Sequence, residues 1–284
     1  MAIIGISKKH NVRIYFANTT DLVNKATKIF NLAPTSSAAL GRNLSITALM
    51  GLMLKNEDDQ VTTIINGNGS AGTIMSIARS DGSVKGFIAN RDLYLKYNHN
   101  NKLAVGLTIG NDGYLRVIKR TNNSNFTGQV ELLDGEIAKE YSYYFLKSEQ
   151  CPSVVSCGVL VEVDYSIKAA GAIVIQLLPN FSEEDLIYLE KIAHKFENIS
   201  TKISENKDYK DIILPYFDDF EVLKEKELHY HCDCHKEKFI SSLLTLSRED
   251  LNDLFKEQNE IEVCCEFCDK KYIIQKDEIF SCLN

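Results

Sequence analysis

The chain has 284 residues, of which 44% are hydrophobic and 25% charged, a composition typical of a globular protein with one large domain and a smaller one. Its formal charge of −7 argues against nonspecific nucleic-acid binding, which depends on neutralising phosphates. The sequence contains no run of about 18 apolar residues and no basic segment before its first apolar stretch, so we expect neither a membrane span nor a signal peptide.

Residues 1–179 have the pattern of an α+β domain with mostly antiparallel strands. Alternating apolar residues indicate strands, and apolar residues at every third or fourth position indicate helices. The predicted elements, in chain order, are a strand over 11–18, helices over 20–31 and 34–55, β structure over 60–120, a helix over 134–146, and strands over 157–165 and 168–178.

The β region is divided into short runs by Asn-Gly and Asp-Gly pairs, as in antiparallel hairpins. Within it, the segment from Gly67 to Gly72 matches the G-x-G-x-x-G pattern of dinucleotide sites. Such a site requires the glycines to open a helix after a parallel strand, whereas the residues that follow here are patterned as a hairpin. We therefore interpret these glycines as a tight turn.

Residues 180–228 are predicted to form a helical, amphipathic linker. Ser182 can cap a helix, with Asp185 three residues later, and apolar residues then recur at every third or fourth position. The stretch from 181 to 228 holds many apolar residues but also 13 acidic and 7 basic side chains, and it is too thin to form a core of its own. We expect it to dock on a neighbouring surface, from which it could also be released.

Residues 229–284 contain two close pairs of cysteines. Cys232 and Cys234 are separated by 30 residues from the second pair, Cys265 and Cys268. Two such pairs can converge on one tetrahedral Zn²⁺ ion, with Zn–S distances of about 2.3 Å. A module of this size has a marginal hydrophobic core, and metal binding worth roughly 10–16 kcal/mol would supply much of its folding free energy. We expect the module to be ordered with the metal and largely unfolded without it.

Other residues near these pairs leave alternatives open. Cys264 could replace Cys265 as a ligand, although its spacing from Cys268 is less usual. The other candidates are the histidines that flank the first pair: His229, His231 and His235. Because the first 150 residues contain no cysteine, the pattern fits a metal site in a reduced, cytoplasmic compartment better than a secreted disulfide framework.

Spacing alone does not decide between a redox switch and a static structural zinc ribbon that acts in nucleic-acid or protein binding. Zinc keeps its ligands as thiolates, the form that oxidants attack, and each pair is close enough in sequence to form a disulfide once zinc leaves. A disulfide within Cys-x-Cys closes a very short loop, so it could not replace the folding energy of the metal. Residues 229–284 carry a net charge of −5, which disfavours nucleic acid as a partner.

The sequence shows no arrangement typical of catalysis, neither a Ser/His/Asp or Cys/His constellation nor a paired-carboxylate motif. Cys151 and Cys157 are more typical of buried small hydrophobes than of a redox pair, and Cys282 has no partner in the pattern. We therefore predict that the protein is not an enzyme. The alternative is catalysis by residues of the N-terminal domain that only the fold brings together.

With these motifs the sequence resembles the redox-regulated 33-kDa chaperonin family, heat shock protein 33. The resemblance rests on the C-x-C and C-x-x-C pairs, with Phe267 inside the second pair and Tyr272 after it, and it spans nearly the entire chain. The N-terminal segments that agree are Ala39-Leu40-Gly41-Arg42, Gly67-Asn68-Gly69, Gly86-Phe87, Gly135-Glu136-Ile137-Ala138, Ser148-Glu149-Gln150 and Gln176-Leu177-Leu178-Pro179. The sequence departs at Gly171-Ala172, where the family commonly has two glycines, at His235, where serine is usual, and at Cys264, an extra thiol.

The resemblance implies an ATP-independent holdase that is inactive while reduced and zinc-bound. Oxidation would form the Cys232–Cys234 and Cys265–Cys268 disulfides, release zinc, and unfold the C-terminal module with the adjoining linker. The apolar surface exposed in this way would bind unfolding client proteins and prevent their aggregation, and the active form would be a homodimer. The extra thiol of Cys264 adds an alternative to that disulfide pairing.

The linker supplies the candidate client-binding residues, because release of its docked face would expose apolar patches. These candidates are Leu186, Leu189, Phe196, Ile212, Leu214 and Phe217. We expect their replacement by polar residues to reduce anti-aggregation activity.

Overall fold

The computed structural model describes residues 1–94, 103–122, 124–205 and 207–283. These residues form two compact units that divide between His231 and Cys232. The larger unit contains the expected N-terminal domain together with the expected linker, and the smaller unit contains all four cysteines of the predicted metal site.

Strands and helices alternate along the described chain. The strands are β1 (Ala2–Ser7), β2 (Val12–Asn18), β3 (Gln60–Asn66), β4 (Ile74–Arg79), β5 (Ser83–Ile88), β6 (Tyr114–Thr121), β7 (Ser124–Glu131), β8 (Ser153–Val161), β9 (Ile167–Leu177), β10 (Glu221–Lys226), β11 (His229–Tyr230), β12 (Glu260–Cys264) and β13 (Lys271–Gln275). The helices are α1 (Thr20–Phe30), α2 (Pro34–Leu52), α3 (Val105–Ile109), α4 (Ala138–Ser148), α5 (Glu183–Ile192), α6 (Ile199–Ser204), α7 (Tyr209–Ile213), α8 (Lys236–Leu243), α9 (Arg248–Leu254) and α10 (Lys276–Phe280), with 3₁₀ turns at Ala193–Phe196 and Ser281–Leu283. The fold is therefore of the predicted α+β class.

The larger unit contains two mostly antiparallel sheets. The first has the order β10-β1-β2-β9-β8, and the second has the order β11-β5-β4-β3-β6-β7, in which β11 pairs parallel to β5. In β3 and β4, buried residues alternate with half-buried ones, as expected for strands with one covered face. In β9, nearly every residue is buried, because both faces of the first sheet are covered.

Helix α2 is buried around nearly its whole circumference and packs against strands of both sheets, β4 and β5 on one side and β8 and β9 on the other. Its many small residues allow this close approach, and two of its buried hydroxyls are satisfied within the helix. The Ser45 and Thr47 hydroxyls donate to the carbonyls of Gly41 and Asn43, each at 2.7 Å. The main core of the protein therefore surrounds α2.

The other face of the first sheet is covered by the linker. A second core lies there, made by sheet and linker residues that include Ile14, Phe16, Ile173, Ile175, Leu189, Phe196, Ile199, Ile212 and Phe217. The linker begins as predicted, since the Ser182 hydroxyl accepts from the Asp185 N–H at 3.1 Å and the Asp185 carboxylate accepts from the Ser182 N–H. It is not helical throughout, because β10 joins the first sheet beside β1.

The smaller unit consists of the β12–β13 hairpin and helices α8, α9 and α10. Helix α9 is capped by the Ser247 hydroxyl, which accepts from the Asp250 N–H at 3.1 Å. The fully buried apolar residues of this unit are few: Leu251, Phe255, Ile261, Ile274 and Ile279. This core is much smaller than either core of the larger unit.

Several predicted boundaries were wrong. The helix expected from residue 134 begins at Ala138, because the buried Glu140 carboxylate accepts the backbone N–H groups of residues 133–135 and holds them in a loop. Val105–Ile109, expected to be β structure, forms a helical turn, and β8 begins at Ser153 rather than residue 157. Strands β1 and β7 were not predicted. Residues 95–102 of the expected β region lie outside the described residues.

Candidate metal centre

The first thiol pair lies in the loop that directly precedes α8. Between the two cysteines, Asp233 is held by Lys238, whose ammonium group donates to the Asp233 carbonyl at 3.0 Å and to its carboxylate at 2.9 Å. Because Lys238 lies in the first turn of α8, this contact ties the loop to the helix. Cys232 and Cys234 are thereby fixed at the helix N-terminal end.

The second pair lies in the turn between β12 and β13. The Cys265 N–H donates to the Lys270 carbonyl at 2.9 Å, and the Cys265 carbonyl accepts from the N–H groups of Cys268 at 3.2 Å and Asp269 at 2.8 Å. Asp269 adopts a left-handed φ of 58°, which lets the chain reverse here. The result is a tight knuckle that carries both thiols.

The four sulfurs converge. All four Sγ atoms lie within 4.8 Å of one another, with Cys232 and Cys265 at 3.7 Å and Cys234 and Cys268 at 3.3 Å. Four sulfurs placed about 2.3 Å from a tetrahedral ion are about 3.8 Å apart, so these residues fit a Zn²⁺-sized ion. Cys265 is buried and the other three cysteines are half-buried, so the cluster is of the closed kind typical of structural metal sites.

Tyr272 joins the two halves of the cluster. Its hydroxyl donates to the Cys234 carbonyl at 3.0 Å and lies 3.3 Å from the Cys234 sulfur. Burial opposes ionisation of Cys234, but hydrogen bonds from Tyr272 and the neighbouring thiols outweigh it and lower the pKa of Cys234 to about 7. One thiolate is therefore readily formed in this cluster.

Two of the other thiols, Cys265 and Cys268, resist ionisation in the absence of a cation. Burial and the neighbouring Cys234 raise the pKa of Cys265 well above its ordinary value, and they raise that of Cys268 to about 11. A second and third negative charge at this spacing would repel the first, and a divalent cation removes that repulsion. The thiols are therefore arranged for a positive ion rather than for four free charges.

The alternative ligands are not part of this cluster. Among the described residues, the candidate metal-binding group that includes Cys265 consists of the four predicted cysteines alone. Cys264 is exposed at the end of β12, with its sulfur 4.0 Å from an Asp269 carboxylate oxygen. His235 directly precedes α8, and its Nδ1 lies 3.2 Å from the Asp233 carbonyl oxygen. No spacing in the sequence indicates that the Tyr272 hydroxyl reaches Cys234, because only the hairpin pairing determines its position.

The client-binding candidates differ in exposure. Leu189, Phe196, Ile212 and Phe217 are at most 3% exposed and lie in the core between the linker and the first sheet. Leu186 is half-buried at the margin of that core, and Leu214 is 37% exposed. Most of the candidate surface is therefore covered in this state.

No helix in the described part of the chain is long and apolar enough to cross a membrane.

An α+β unit followed by a closed four-thiol module defines a class of two-unit proteins with a metal–thiolate centre near the C-terminus. The family model described as Hsp33 protein matches residues 1–275. The chain is 43% identical to a 33 kDa chaperonin of Clostridium perfringens, covering 97% of this chain and 88% of the relative, and 37% identical to one of Alkaliphilus metalliredigens, covering 96% and 95%.

A solved structure is also similar. The crystal structure of the 33 kDa chaperonin, heat shock protein 33 homolog, from Thermotoga maritima matches with a TM-score of 0.87 and 31% identity, covering 99% of this chain and 97% of that one. The chain therefore belongs to the Hsp33 family. Proteins of this family are named chaperonins, which are not enzymes, so the expectation from the sequence that the protein is a chaperone and not an enzyme is confirmed.

Proposed function

We propose that the protein is a redox-regulated, ATP-independent holdase, inactive while reduced and zinc-bound. The observation that carries this proposal is the convergence of four cysteines on one closed site in the unit with the smaller core. A site that contributes a large share of a unit's folding energy can switch that unit between folded and unfolded. The covered apolar face of the linker gives such a switch a surface to release.

The ion proposed for the site is Zn²⁺. Four sulfur donors with tetrahedral spacing suit zinc, whereas calcium and magnesium prefer oxygen ligands. When bound, zinc would keep the four sulfurs as thiolates and cross-link the α8 loop to the β12–β13 turn. Cys232, Cys234, Cys265 and Cys268 are the proposed ligands.

The proposed switch is oxidation of these thiolates by a peroxide. For each disulfide, two thiolates give up two electrons to one peroxide molecule, which takes up two protons and leaves as two waters. The family resemblance supports the pairs Cys232–Cys234 and Cys265–Cys268. All four sulfurs lie within 4.8 Å, so the other pairings are also within reach, and mapping the disulfides in the oxidised protein by mass spectrometry would identify them.

The proposed result of oxidation is release of residues 180–228 together with the metal module. The clients would be unfolded proteins, and the surface offered to them would include the six linker candidates named above and the sheet face beneath them. We further propose that the oxidised form is a homodimer and that the protein acts in the cytoplasm, where thiols are kept reduced between episodes of stress.

The test is a light-scattering assay with a heat-unfolding reporter enzyme, before and after treatment with peroxide at mildly raised temperature, with released zinc measured in the same sample. We expect little suppression of aggregation by the reduced protein, and strong suppression that appears as zinc is released. Zinc release without suppression of aggregation would instead favour a static structural zinc ribbon that oxidation disrupts without activating the protein. Cys265→Ser removes one of the proposed ligands and should lower the zinc content of the protein. Its matched control is Cys264→Ser, which removes the adjacent exposed thiol and should leave zinc content unchanged.

A further inference from the structure

Strand β8 forms one edge of the first sheet and has no strand partner on its outer side among the described residues. Its nine residues, Ser153–Val161, include no charge and no proline. The opposite edge, β10, carries Glu221, Lys224, Glu225 and Lys226. Proteins commonly protect an exposed edge with charges, prolines or covering chain, because unpaired strands invite another strand to join. The β8 edge has neither charges nor prolines, whereas the β10 edge has charges.

The pairing of β8 with β9 determines which backbone groups face outward. The Leu177 N–H donates to the Pro152 carbonyl at 3.1 Å, and in an antiparallel ladder residues that bond the neighbour alternate with residues that do not. The outward N–H and C=O groups therefore belong to the odd-numbered residues Ser153, Val155, Cys157 and Val159. They repeat about every 7 Å, the spacing of an extended polypeptide.

A cavity of about 860 Å³ lies along this edge. It is lined by β8 over its whole length, by Ala138 and Ser142 of α4, and by Ser200 and Thr201 of α6. The two helices contact β8, so the space beside the edge is a groove with helical walls. The groove thus follows the unpaired backbone groups rather than crossing them.

The groove is suited to an uncharged, apolar chain. At its margin, Val163 is 95% exposed, and the exposed rings of Tyr94 and Tyr165 meet edge to face at 6.1 Å. Charge in the groove is of both signs, and its Arg42 is paired with Glu136 at 2.6 Å. The groove is lined by three glutamates against one arginine and one lysine, so its charges nearly cancel and offer little to a strongly charged ligand. An extended apolar backbone would find both hydrogen-bond partners and apolar contacts.

We propose that an extended segment of an unfolded client protein binds this groove by adding a strand to the outer edge of β8. The inference rests on the proposed chaperone function and specifies how the client is held. Backbone hydrogen bonds are offered by every polypeptide, so strand addition accepts clients of many sequences. Folded proteins have their backbone groups already paired, so the same edge distinguishes unfolded chains from folded ones.

The first test uses two labelled nine-residue peptides of alternating valine and threonine with lysine at each end, one of them N-methylated at four consecutive central residues. The N-methyl groups remove hydrogen-bond donors from both edges of the peptide while keeping its side chains. Binding to the oxidised full-length protein is followed by fluorescence anisotropy. We expect the unmodified peptide to bind and the methylated one to bind at least about tenfold more weakly.

The second test changes the protein at one outward position. Val155→Pro removes an outward N–H without touching the ladder to β9, and proline is tolerated at strand edges. Val155→Ala is the matched control, because it shortens the same side chain and keeps the N–H. We expect Val155→Pro to bind the peptide roughly tenfold more weakly than Val155→Ala and to suppress aggregation less well than that control.

Circular dichroism and zinc content verify that both variants are folded when reduced, and if Val155→Pro is not, the peptide pair decides alone. Equal binding of the two peptides to the wild-type protein would overturn the inference while leaving the chaperone function intact. Failure of the oxidised wild-type protein to suppress aggregation would instead count against the proposed function. If the peptide does not bind and Val155→Pro turns an oxidised dimer into a monomer, the edge pairs with a second copy and the inference is wrong.

Discussion

A single hydroxyl, that of Tyr272, links the β13 strand to the loop of the first thiol pair. It contacts both the sulfur and the carbonyl of Cys234, and the ring itself packs on Phe239 at 5.1 Å between centroids. Tyr272→Phe removes the hydrogen bonds and keeps the ring. Because groups that orient metal ligands typically contribute 10–100-fold in affinity, we expect about tenfold weaker zinc binding, measured by competition with a chromogenic chelator.

Tyr143→Phe in α4 is the control for this variant, since it makes the same change in the larger unit, outside the thiol module. It should leave zinc affinity unchanged. If Tyr272→Phe also binds zinc like the wild type, the hydroxyl does not hold Cys234 in position, and the hydrogen bonds described for it contribute nothing to the metal site.

Two adjacent aspartates at the end of the linker differ in what they contact. Asp219 accepts from the buried Ser7 hydroxyl at 2.5 Å and from the Lys9 N–H at 2.8 Å, whereas Asp218 makes an exposed ion pair with the Lys9 ammonium group at 3.1 Å. We expect Asp219→Ala to loosen the linker, seen as faster trypsin cleavage within residues 180–228. Exposed ion pairs contribute little, so Asp218→Ala should be cleaved like the wild type, and equal effects of the two variants would contradict this assignment.

The Asp219 contact also predicts a pH dependence. Partial burial tends to raise the pKa of Asp219, but hydrogen bonds from Ser7 and from the backbone of Lys9 and Lys8 lower it overall. A carboxyl whose pKa is lower in the docked state stabilises docking above its ordinary pKa of about 3.9, and this contribution disappears as pH falls through the docked-state value. We expect the difference in cleavage between Asp219→Ala and wild type to be full at pH 7 and, measured with the acid protease pepsin, to vanish in strong acid.

At the scale of single residues, the sequence predicted the contacts that follow from spacing along the chain and missed those that form only on folding. The four cysteines were singled out because two close pairs far apart in sequence can converge on one metal ion, and their sulfurs do lie together. The Tyr272 hydroxyl and the Ser7–Asp219 contact join residues far apart in sequence, so no local pattern indicates either. The role of the buried Glu140 was also missed, because its carboxylate meets the N–H groups of the loop before α4 only once that loop is folded.

Among the elements, α6 rests on an unusually close contact with the first sheet. Gly158 of β8 pairs with Gly171 of β9, and a Cβ at Gly158 would lie 2.4 Å from the Ser200 hydroxyl and 3.0 Å from its Cβ. Gly158→Ala should therefore push α6 outward, at a cost of about 1–3 kcal/mol typical of overpacking. We expect faster hydrogen exchange in α6 and partial suppression of aggregation by the reduced protein.

The double variant Gly158→Ala with Ser200→Gly tests the cause. Removing the Ser200 side chain leaves only its backbone nitrogen near the new methyl group, at 3.3 Å, so the helix should return to its place and the reduced protein should again be inactive. If the reduced double variant suppresses aggregation as well as the single one, the effect of Gly158→Ala arises in β8 itself and not from a displacement of α6.

The elements that were predicted best are those whose pattern is local. Helix α2 begins at Pro34 as predicted, and α5 begins with the predicted pair of capping residues, Ser182 and Asp185. The linker strand β10 was not predicted, because its charged sequence becomes a strand only through pairing with β1. Likewise Val105–Ile109 has the apolar composition of a strand but forms a helical turn.

On the scale of the whole molecule, the two units differ in how they are stabilised. The larger unit has two extensive cores, one around α2 and one under the linker, whereas the smaller unit has five fully buried apolar residues and the thiol cluster. Below the size at which a hydrophobic core suffices, a structural metal commonly provides the remaining stability. Removal of the metal should therefore unfold the smaller unit and leave the main core intact.

Between the linker and the smaller unit, the two-residue strand β11 pairs with β5 and holds the chain there; we call it the clip. Its Tyr230 is buried, and the hydroxyl donates to the Gly86 carbonyl at 2.7 Å and accepts from the Gly86 N–H at 3.3 Å. Unfolding that begins at Cys232 must displace this clip before it reaches the linker helices. Tyr230→Phe leaves buried backbone groups unsatisfied and should weaken the clip by about 1–3 kcal/mol.

Hydrogen exchange measured by mass spectrometry after peroxide treatment would test this order. We expect protection to be lost first in residues 232–283, next in β11 and β10, and then in α5 to α7, while α2 stays protected. Each loss removes the support of the segment that follows it in this order. In Tyr230→Phe the linker should lose protection sooner after zinc release, with zinc release itself unchanged. Simultaneous loss throughout the larger unit, or linker exchange that precedes loss in the smaller unit, would contradict a switch that starts at the thiols.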